Sequence, residues 1–411
     1  MKNLKATKLG KKLLFEGKMF KVLLRAPLLT NSGYGVHSRQ IFEWLFNRKD
    51  VDLRVECLKW GETPWIVNPD AEKGLFGKIM SCSSGPRPDN DISFQVQLPD
   101  EWDASLAKYN VGVTALVEST RCNPDWLKKM NEMDSIIVPS NFTKKVIEKN
   151  FRDFLKKDVT VIPEWFNTHL NQDKKRFSDI YDDRYEFDTK FNLLTIGTLT
   201  SLDADSDRKN LINTIKWAIQ TFEGDPDVGI VVKTCLGRGS VEDREMSKSA
   251  IHQIVTSFRK SDFPKIHLIH GNMTSREIAG LFRSRKIHGY ITGTRGEGYG
   301  LPLVEAAASG IPVVATNWSG HLDFLNDNFL KVDYELRPIP NSRVDGRIFI
   351  DGAMWAEPFE EHFMSQLRDL KENHSKHLSS SSSLKKSVKN NFSKSKICKK
   401  YDKFFEQVSK R

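Results

Sequence analysis

Short runs of aliphatic and β-branched residues alternate along most of the chain with longer segments whose apolar residues recur every three or four positions. That alternation predicts parallel sheet covered by helices. In the first half the predicted strands are Phe20–Ala26, Val51–Leu58, Ile92–Leu98, Val111–Val117, Ser135–Pro139 and Val159–Pro163. A second series follows at Phe191–Leu199, Val228–Thr234, Lys265–Ile269, Ile287–Thr292 and Pro312–Thr316. Leu211, Ile215, Ala218 and Phe222 paint one face directly after the strand at 191–199, which reads as a βα unit. Between the two series Asn171–Lys190 is charged and without apolar periodicity, so a domain boundary is expected near residue 185. Near the end, Ile397, Tyr401, Phe404, Phe405 and Val408 form an apolar stripe behind Ser393, a residue suited to cap a helix. The serine run Ser379–Ser383 just before it reads as a flexible surface connection.

Composition narrows the class. With 411 residues, 39% hydrophobic and 28% charged, the chain is long enough for two cores and unlike a disordered or fibrous sequence. Apolar runs stay short of the ~20 residues a membrane span needs, and no signal-peptide pattern opens the chain, so a cytoplasmic protein is expected. The five cysteines, Cys57, Cys82, Cys122, Cys235 and Cys398, are scattered and form no C-x-x-C pair. Neither a disulfide framework nor a zinc site is signalled.

The net charge of +10 is concentrated at the ends. Residues 371–411 hold twelve Lys/Arg against three Asp/Glu, and residues 1–21 hold seven Lys against one Glu, which leaves the body slightly acidic. A basic substrate groove through the middle is therefore not expected. The basic ends, with Lys2, Lys5, Lys8, Lys11 and Lys12 and with Lys385, Lys386 and Lys389, are instead candidates for contact with an anionic membrane or nucleic acid. Lysines that serve only solubility remain the other reading.

The most informative segment is Thr294-Arg295-Gly296-Glu297-Gly298-Tyr299-Gly300-Leu301-Pro302-Leu303-Val304-Glu305-Ala306-Ala307-Ala308-Ser309-Gly310. A predicted strand, three glycines for a tight turn, a proline suited to the first helical turn and a glycine suited to the stop stand in order. Backbone amides at such a helix start form a natural phosphate seat. A carboxylate there would repel a diphosphate, so Glu297 suits sugar hydroxyls, and Glu305, about one turn further in, suits a second diol such as a nucleotide ribose.

With Ile311-Pro312-Val313-Val314-Ala315-Thr316-Asn317 after it, this segment resembles the signature of the "group 1" family of retaining glycosyltransferases: two glutamates with seven residues between them. The resemblance implies a GT-B fold, with two Rossmann-like domains (1–185 on the acceptor side, 186–385 for the nucleotide-sugar) facing a cleft and the last helix, 386–411, packing back on the first domain. It implies sugar transfer with retention from a nucleotide-sugar donor to an unidentified acceptor, with no cofactor. Glu297 would contact the sugar, Glu305 the ribose, and the amides of Gly298, Tyr299, Gly300 and Leu301 the diphosphate. Within Asp207-Arg208-Lys209-Asn210, Lys209 would neutralise the diphosphate. Family members often carry an arginine after the glycine that ends the preceding strand; here Thr198 follows Gly197, and Arg208 or Lys233 is the candidate to compensate.

Ser32-Gly33-Tyr34-Gly35-Val36-His37 resembles the N-terminal glycine loop facing the donor, which makes Gly33, Gly35 and His37 candidates. Glu118, where a predicted strand gives way to Ser119-Thr120-Arg121, is a candidate on the acceptor side. Relatives often place a histidine near there and this chain does not. Asp203-Ala204-Asp205-Ser206-Asp207 looks like a metal loop, but Arg208 and Thr214 stand where a calcium loop needs glycine and glutamate, so no required metal is expected. Two alternatives share the fold: a sugar-nucleotide epimerase or phosphorylase, and a catalytically degenerate binding module.

Overall fold

The computed structural model describes residues 18–83, 89–171, 185–199, 203–237 and 239–410. The N-terminal lysines Lys2 to Lys12 and most of the linker at 171–190 lie outside them.

Six parallel strands form a first sheet: β1 (Phe20–Ala26), β2 (Val51–Cys57), β3 (Ile92–Val96), β4 (Tyr109–Val113), β5 (Ser135–Val138) and β6 (Val159–Val161), in the order β2-β1-β3-β4-β5-β6. Six more form a second: β7 (Phe191–Ile196), β8 (Val228–Thr234), β9 (Lys265–His270), β10 (Ile287–Thr292), β11 (Val313–Thr316) and β12 (Leu330–Val332), in the order β12-β11-β10-β7-β8-β9. The eleven strands expected from apolar runs are all present. Among the described residues three others escaped that reading. β12 has only three residues, and β13 (Tyr334–Pro338) pairs antiparallel with β14 (Met354–Pro358) in a hairpin whose first strand is largely exposed and so carries no apolar signal.

Two expected elements end differently. The strand expected to run to Val117 stops at Val113; Thr114 Oγ1 accepts the Leu116 amide at 3.0 Å, and Leu116 takes a positive φ of 56°. Residues 114–118 are thereby freed to form a wall of the cleft. The serine run is not a flexible connection but the middle of a helix, His374–Asn391. Ser380, Ser381 and Ser382 each return a hydroxyl to the carbonyl four residues back, at 3.4, 2.8 and 3.1 Å, which satisfies polar groups without leaving the helix. Leu384 and Val388 on its buried face pack with Leu303, Val304 and the alanines of the helix Leu301–Ser309. Lys385 and Lys389 are tied down as well: their Nζ groups donate to the carbonyls of Ser309 at 2.9 Å and Leu170 at 3.0 Å. These two lysines belong to the packing around that helix rather than to a free basic surface.

The last helix, Lys394–Val408, lies on the core of the first sheet, where Ile397, Tyr401, Phe404, Phe405 and Val408 join Val22, Leu24, Phe42 and Phe94. Ser393 stands at the cap position without a side-chain capping bond. Phe405 meets Phe20 edge-on at 5.5 Å and Trp44 at 5.9 Å, and the Arg48 guanidinium lies over its ring at 4.2 Å. Trp44 Nε1 and Arg48 Nη1 both donate to Asp402, at 2.9 and 2.7 Å. Among the described residues no helix is long and apolar enough to cross a membrane.

Phe405→Ala removes a ring that is 1% exposed, and its expected cost is about 3–5 kcal/mol. Chemical denaturation monitored by far-UV circular dichroism checks this; a loss below about 1 kcal/mol would mean the helix contributes little to the first core.

Candidate functional site

The turn after β10 is held from beneath by a buried arginine. Arg295, 1% exposed, makes a two-pronged ion pair with Glu357 of β14 at 2.6 and 3.0 Å. Its third nitrogen donates to the carbonyls of Ala204 and Asp207 at 2.6 and 2.8 Å. The loop carrying Arg208 and Lys209 is thus fixed directly beside the glycine turn. In that loop Asp203 accepts from Asp205 N and Ser206 Oγ, and Asp207 accepts from Leu211 N, so these aspartates organise backbone. Among the described residues no group of three or more His, Cys, Asp or Glu side chains is gathered for a metal.

Lys209 Nζ sits 2.7 Å from both carboxylate oxygens of Glu297. Thr294 Oγ1 donates to Glu297 Oε1 at 3.0 Å, and Arg208 Nη1 lies 4.0 Å from Oε2. Burial alone would raise the Glu297 pKa, but the two cations outweigh it and hold the pKa below the usual value. Glu297 is therefore ionised at neutral pH and can only accept hydrogen bonds.

The glycines serve close approach between the two halves. A Cβ on Gly298 would stand 2.8 Å from the Ala115 carbonyl, and one on Gly296 would stand 2.6 Å from the Glu118 carbonyl. Gly300 takes φ +100°, immediately before Leu301–Ser309, and Gly310 closes that helix at φ +87°. Ser140 Oγ donates across to the Gly298 carbonyl at 2.6 Å. Tyr299 turns its ring into the core, and its hydroxyl donates to the Glu164 carbonyl at 2.6 Å, so only its backbone faces the turn.

A cavity of about 1070 Å³ opens between the sheets, and both halves line it. Glu297, Lys209, Glu305, Lys233 and the backbone of Gly298–Leu301 come from the second half; Gly33, Tyr34, Glu118 and Glu164 come from the first. Glu305 is half-buried there, and burial pushes its pKa up to about 8. Lys233 donates to the Gly271 carbonyl at 2.7 Å, and burial lowers its pKa. Glu118 reaches over the cleft to Arg208, whose Nη2 stands 3.2 Å away. Ser32 caps the helix Gly33–Phe46 by accepting the Gly35 amide at 3.0 Å, and a Cβ on Gly35 would run into the Thr30 carbonyl. A Cβ on Gly33 would meet nothing within 4 Å. His37, 3% exposed, pairs with the Tyr401 hydroxyl at 3.1 Å, and burial brings its pKa down to about 4. It sits at the back of the cavity wall, neutral and engaged with the last helix.

Three features of the site were not found from sequence. Glu164 lines the cavity with its pKa pushed up to about 8, first by burial and then by Glu305. His321 donates from Nε2 to the Thr316 carbonyl at 2.7 Å beside Ser319, whose hydroxyl accepts the Glu297 amide at 2.9 Å. The Arg295–Glu357 pair depends on β14. Of these, only Ser319-Gly320-His321, placed just after a predicted strand, left any local signal.

No family model and no curated protein matches this chain. Solved structures do. A glycosyltransferase from Rickettsia africae ESF-5 aligns over 96% of this chain and 99% of its own at 14% identity and TM-score 0.58. A trehalose-6-phosphate synthase described for enzymatic glycosyltransfer with retention aligns over 95% and 99% at 10% identity and TM-score 0.59. The E. coli trehalose-6-phosphate protein bound with UDP-2-fluoro glucose aligns over 94% and 98% at 10% identity and TM-score 0.59. At these identities the likeness is one of architecture: the chain has the GT-B fold of glycosyltransferases, two Rossmann-like units facing a cleft.

The raised pKa of Glu305 gives a stability signature. Its folded value lies above its unfolded value, so the folded state keeps a proton that the unfolded chain releases; the stabilisation is full below about pH 4 and is lost as pH rises through about 8. Comparing wild type with Glu305→Gln by melting temperature from pH 5 to 8 should show the variant gaining relative stability as pH rises. Parallel curves would contradict the burial of Glu305.

Proposed function

We propose that this chain transfers a sugar from a nucleotide-sugar donor to an acceptor, with retention at the anomeric carbon. The observation that carries the reading is the ion pair of Glu297 and Lys209 at the mouth of the glycine turn, inside a cavity walled by both halves of a GT-B fold. Retention is supported by the resemblance of the Glu297–Glu305 segment to retaining enzymes and by the architecture shared with a synthase described for transfer with retention.

In this reading the second half, residues 186–385, holds the donor and the first, 1–185, the acceptor. The diphosphate lies against the backbone of Gly298 to Leu301 at the start of Leu301–Ser309, where the helix dipole favours negative charge. Lys209 neutralises the departing diphosphate, with Arg208 and Lys233 as further cations near it. Glu297, kept ionised, accepts from sugar hydroxyls and orients the anomeric carbon toward the acceptor. Glu305 accepts from the ribose. Gly33 and Gly35 leave room for the donor from the opposite wall, and Glu118 and His37 belong to the acceptor side, Glu118 in contact range and His37 behind it. The reaction uses no metal, in a cytoplasmic setting, and Lys2, Lys5, Lys8, Lys11 and Lys12, with Lys386, are the lysines left for contact with an anionic surface.

Glu297→Gln should lower kcat by about 10²-fold with little change in donor KM, whereas Glu305→Ala should mainly raise donor KM. Lys209→Ala should cost about tenfold or more in kcat and exceed the effect of Arg208→Ala, whose guanidinium is spent on Gly296 and Glu118. Turnover should survive a strong chelator. The measurements are initial rates with a donor found by thermal-shift screening of UDP-, GDP-, ADP- and dTDP-sugars. Unaltered kinetics in folded Glu297→Gln and Lys209→Ala would remove the site assignment.

A further inference from the structure

Glu164 stands three residues beyond β6, in the stretch that leads out of the first sheet, and the backbone around it is clamped. Gln40 brackets Trp165, donating to its carbonyl and accepting from its amide, both at 2.8 Å. Tyr299 donates to the carbonyl of Glu164 itself. The residue is 5% exposed, and its carboxyl Oε2 is sealed from solvent with no hydrogen-bond partner. The residue nevertheless lines the same cavity as Glu305 and Lys209.

Buried carboxyl oxygens are nearly always satisfied, so one left without a donor requires a reason. A structural role is poorly served by it, because an apolar side chain of similar volume would fill the space without desolvating a polar group. The titratable groups around it come from several elements. Glu305 faces it from the helix Leu301–Ser309 and disfavours its charge, while Tyr299 and Tyr401 sit close enough to be disfavoured in turn by the charge of Glu164. His37 is bound to Tyr401 and kept neutral by burial. Two carboxyls from opposite halves, each with its ionisation disfavoured by burial, thus share one cavity. A vicinal diol relieves that arrangement, since its two hydroxyls are adjacent donors and each carboxyl accepts one.

We propose that Glu164 is a specificity-determining residue for the donor, holding the ribose diol of a nucleotide together with Glu305, so that the first half of the chain takes part in reading the nucleotide. This rests on the donor site proposed above. It assigns the ribose two carboxyls from the two halves, the 2′-hydroxyl to Glu164 and the 3′-hydroxyl to Glu305, and makes the chain select ribo- over deoxyribonucleotides.

The test is titration calorimetry of the intact protein with UDP, GDP and ADP and with the 2′-deoxy form of each. Wild type should bind the ribo form of the preferred nucleotide about tenfold or more tighter than its deoxy form, the scale of a buried acceptor left without its donor. Glu164→Leu should lose most of that preference while its affinity for the deoxy form stays within about twofold. Glu164→Gln, which keeps one carbonyl acceptor but replaces the second oxygen by an NH2 donor, should fall between the two, and it decides alone should the leucine variant not fold. Equal weakening toward both forms would mean Glu164 only supports the fold, and an unchanged preference would mean it does not touch the ribose; either result overturns the proposal. Wild type that binds none of the six nucleotides would overturn the donor site itself, an outcome distinct from the other two.

Discussion

The Arg295–Glu357 ion pair is the interaction on which the site depends. Both partners are largely shut away from water, so removing either would leave a charge buried with its hydrogen bonds unmet. The planar guanidinium is suited to the task because it forks toward one carboxylate while its remaining nitrogen reaches two carbonyls of the loop 204–207. A lysine offers a single point charge and cannot span those three elements. Through this one side chain, the β13–β14 hairpin, the loop bearing Lys209 and the glycine turn become a single rigid body. The short contacts between Lys209 and Glu297 then follow from the backbone, with no need for two long side chains to find one another in solvent.

Against that body the first half is fitted closely. Ala115 and Glu118 press their carbonyls where side chains on Gly298 and Gly296 would be, and Ser140 reaches a carbonyl of the same turn. The turn's glycines therefore answer to two demands at once: left-handed backbone at Gly300, and space for a neighbouring main chain at Gly296 and Gly298. A reacting pair placed here is shielded on both sides while still opening onto a cavity large enough for a nucleotide-sugar, and the charges lining it act with little screening.

Much of this was legible in the sequence because its signals are local. Parallel strands buried on both faces read as apolar runs, and a strand, glycine turn and proline-started helix stand within 24 residues of one another. Three kinds of information were not local. The strand Tyr109–Val113 gives way to cleft wall at Thr114, although apolar residues continue to Val117, because tertiary bonds rather than composition decide where a strand ends. The serines at 379–383 look like linker, yet they lie in a helix fixed by Leu384 and Val388 against a partner some 80 residues earlier. Glu164 reads as one more charged residue after a strand. Its burial beside Glu305 comes from the meeting of two domains, and no window of sequence contains both.

The seat of the last helix on the first sheet has a consequence for how the chain comes off the ribosome. His37 waits for Tyr401, 364 residues later, and Trp44 for Asp402, 358 residues later. At synthesis rates of about 5–20 residues per second that interval is roughly 20–70 s, during which the apolar faces of β1 and of the helix Gly33–Phe46 lack their cover. The second sheet, whose strands all arrive within the intervening stretch, can assemble first. The half made first is thus completed last, and in that interval its uncovered surface is open to a chaperone or to other nascent chains.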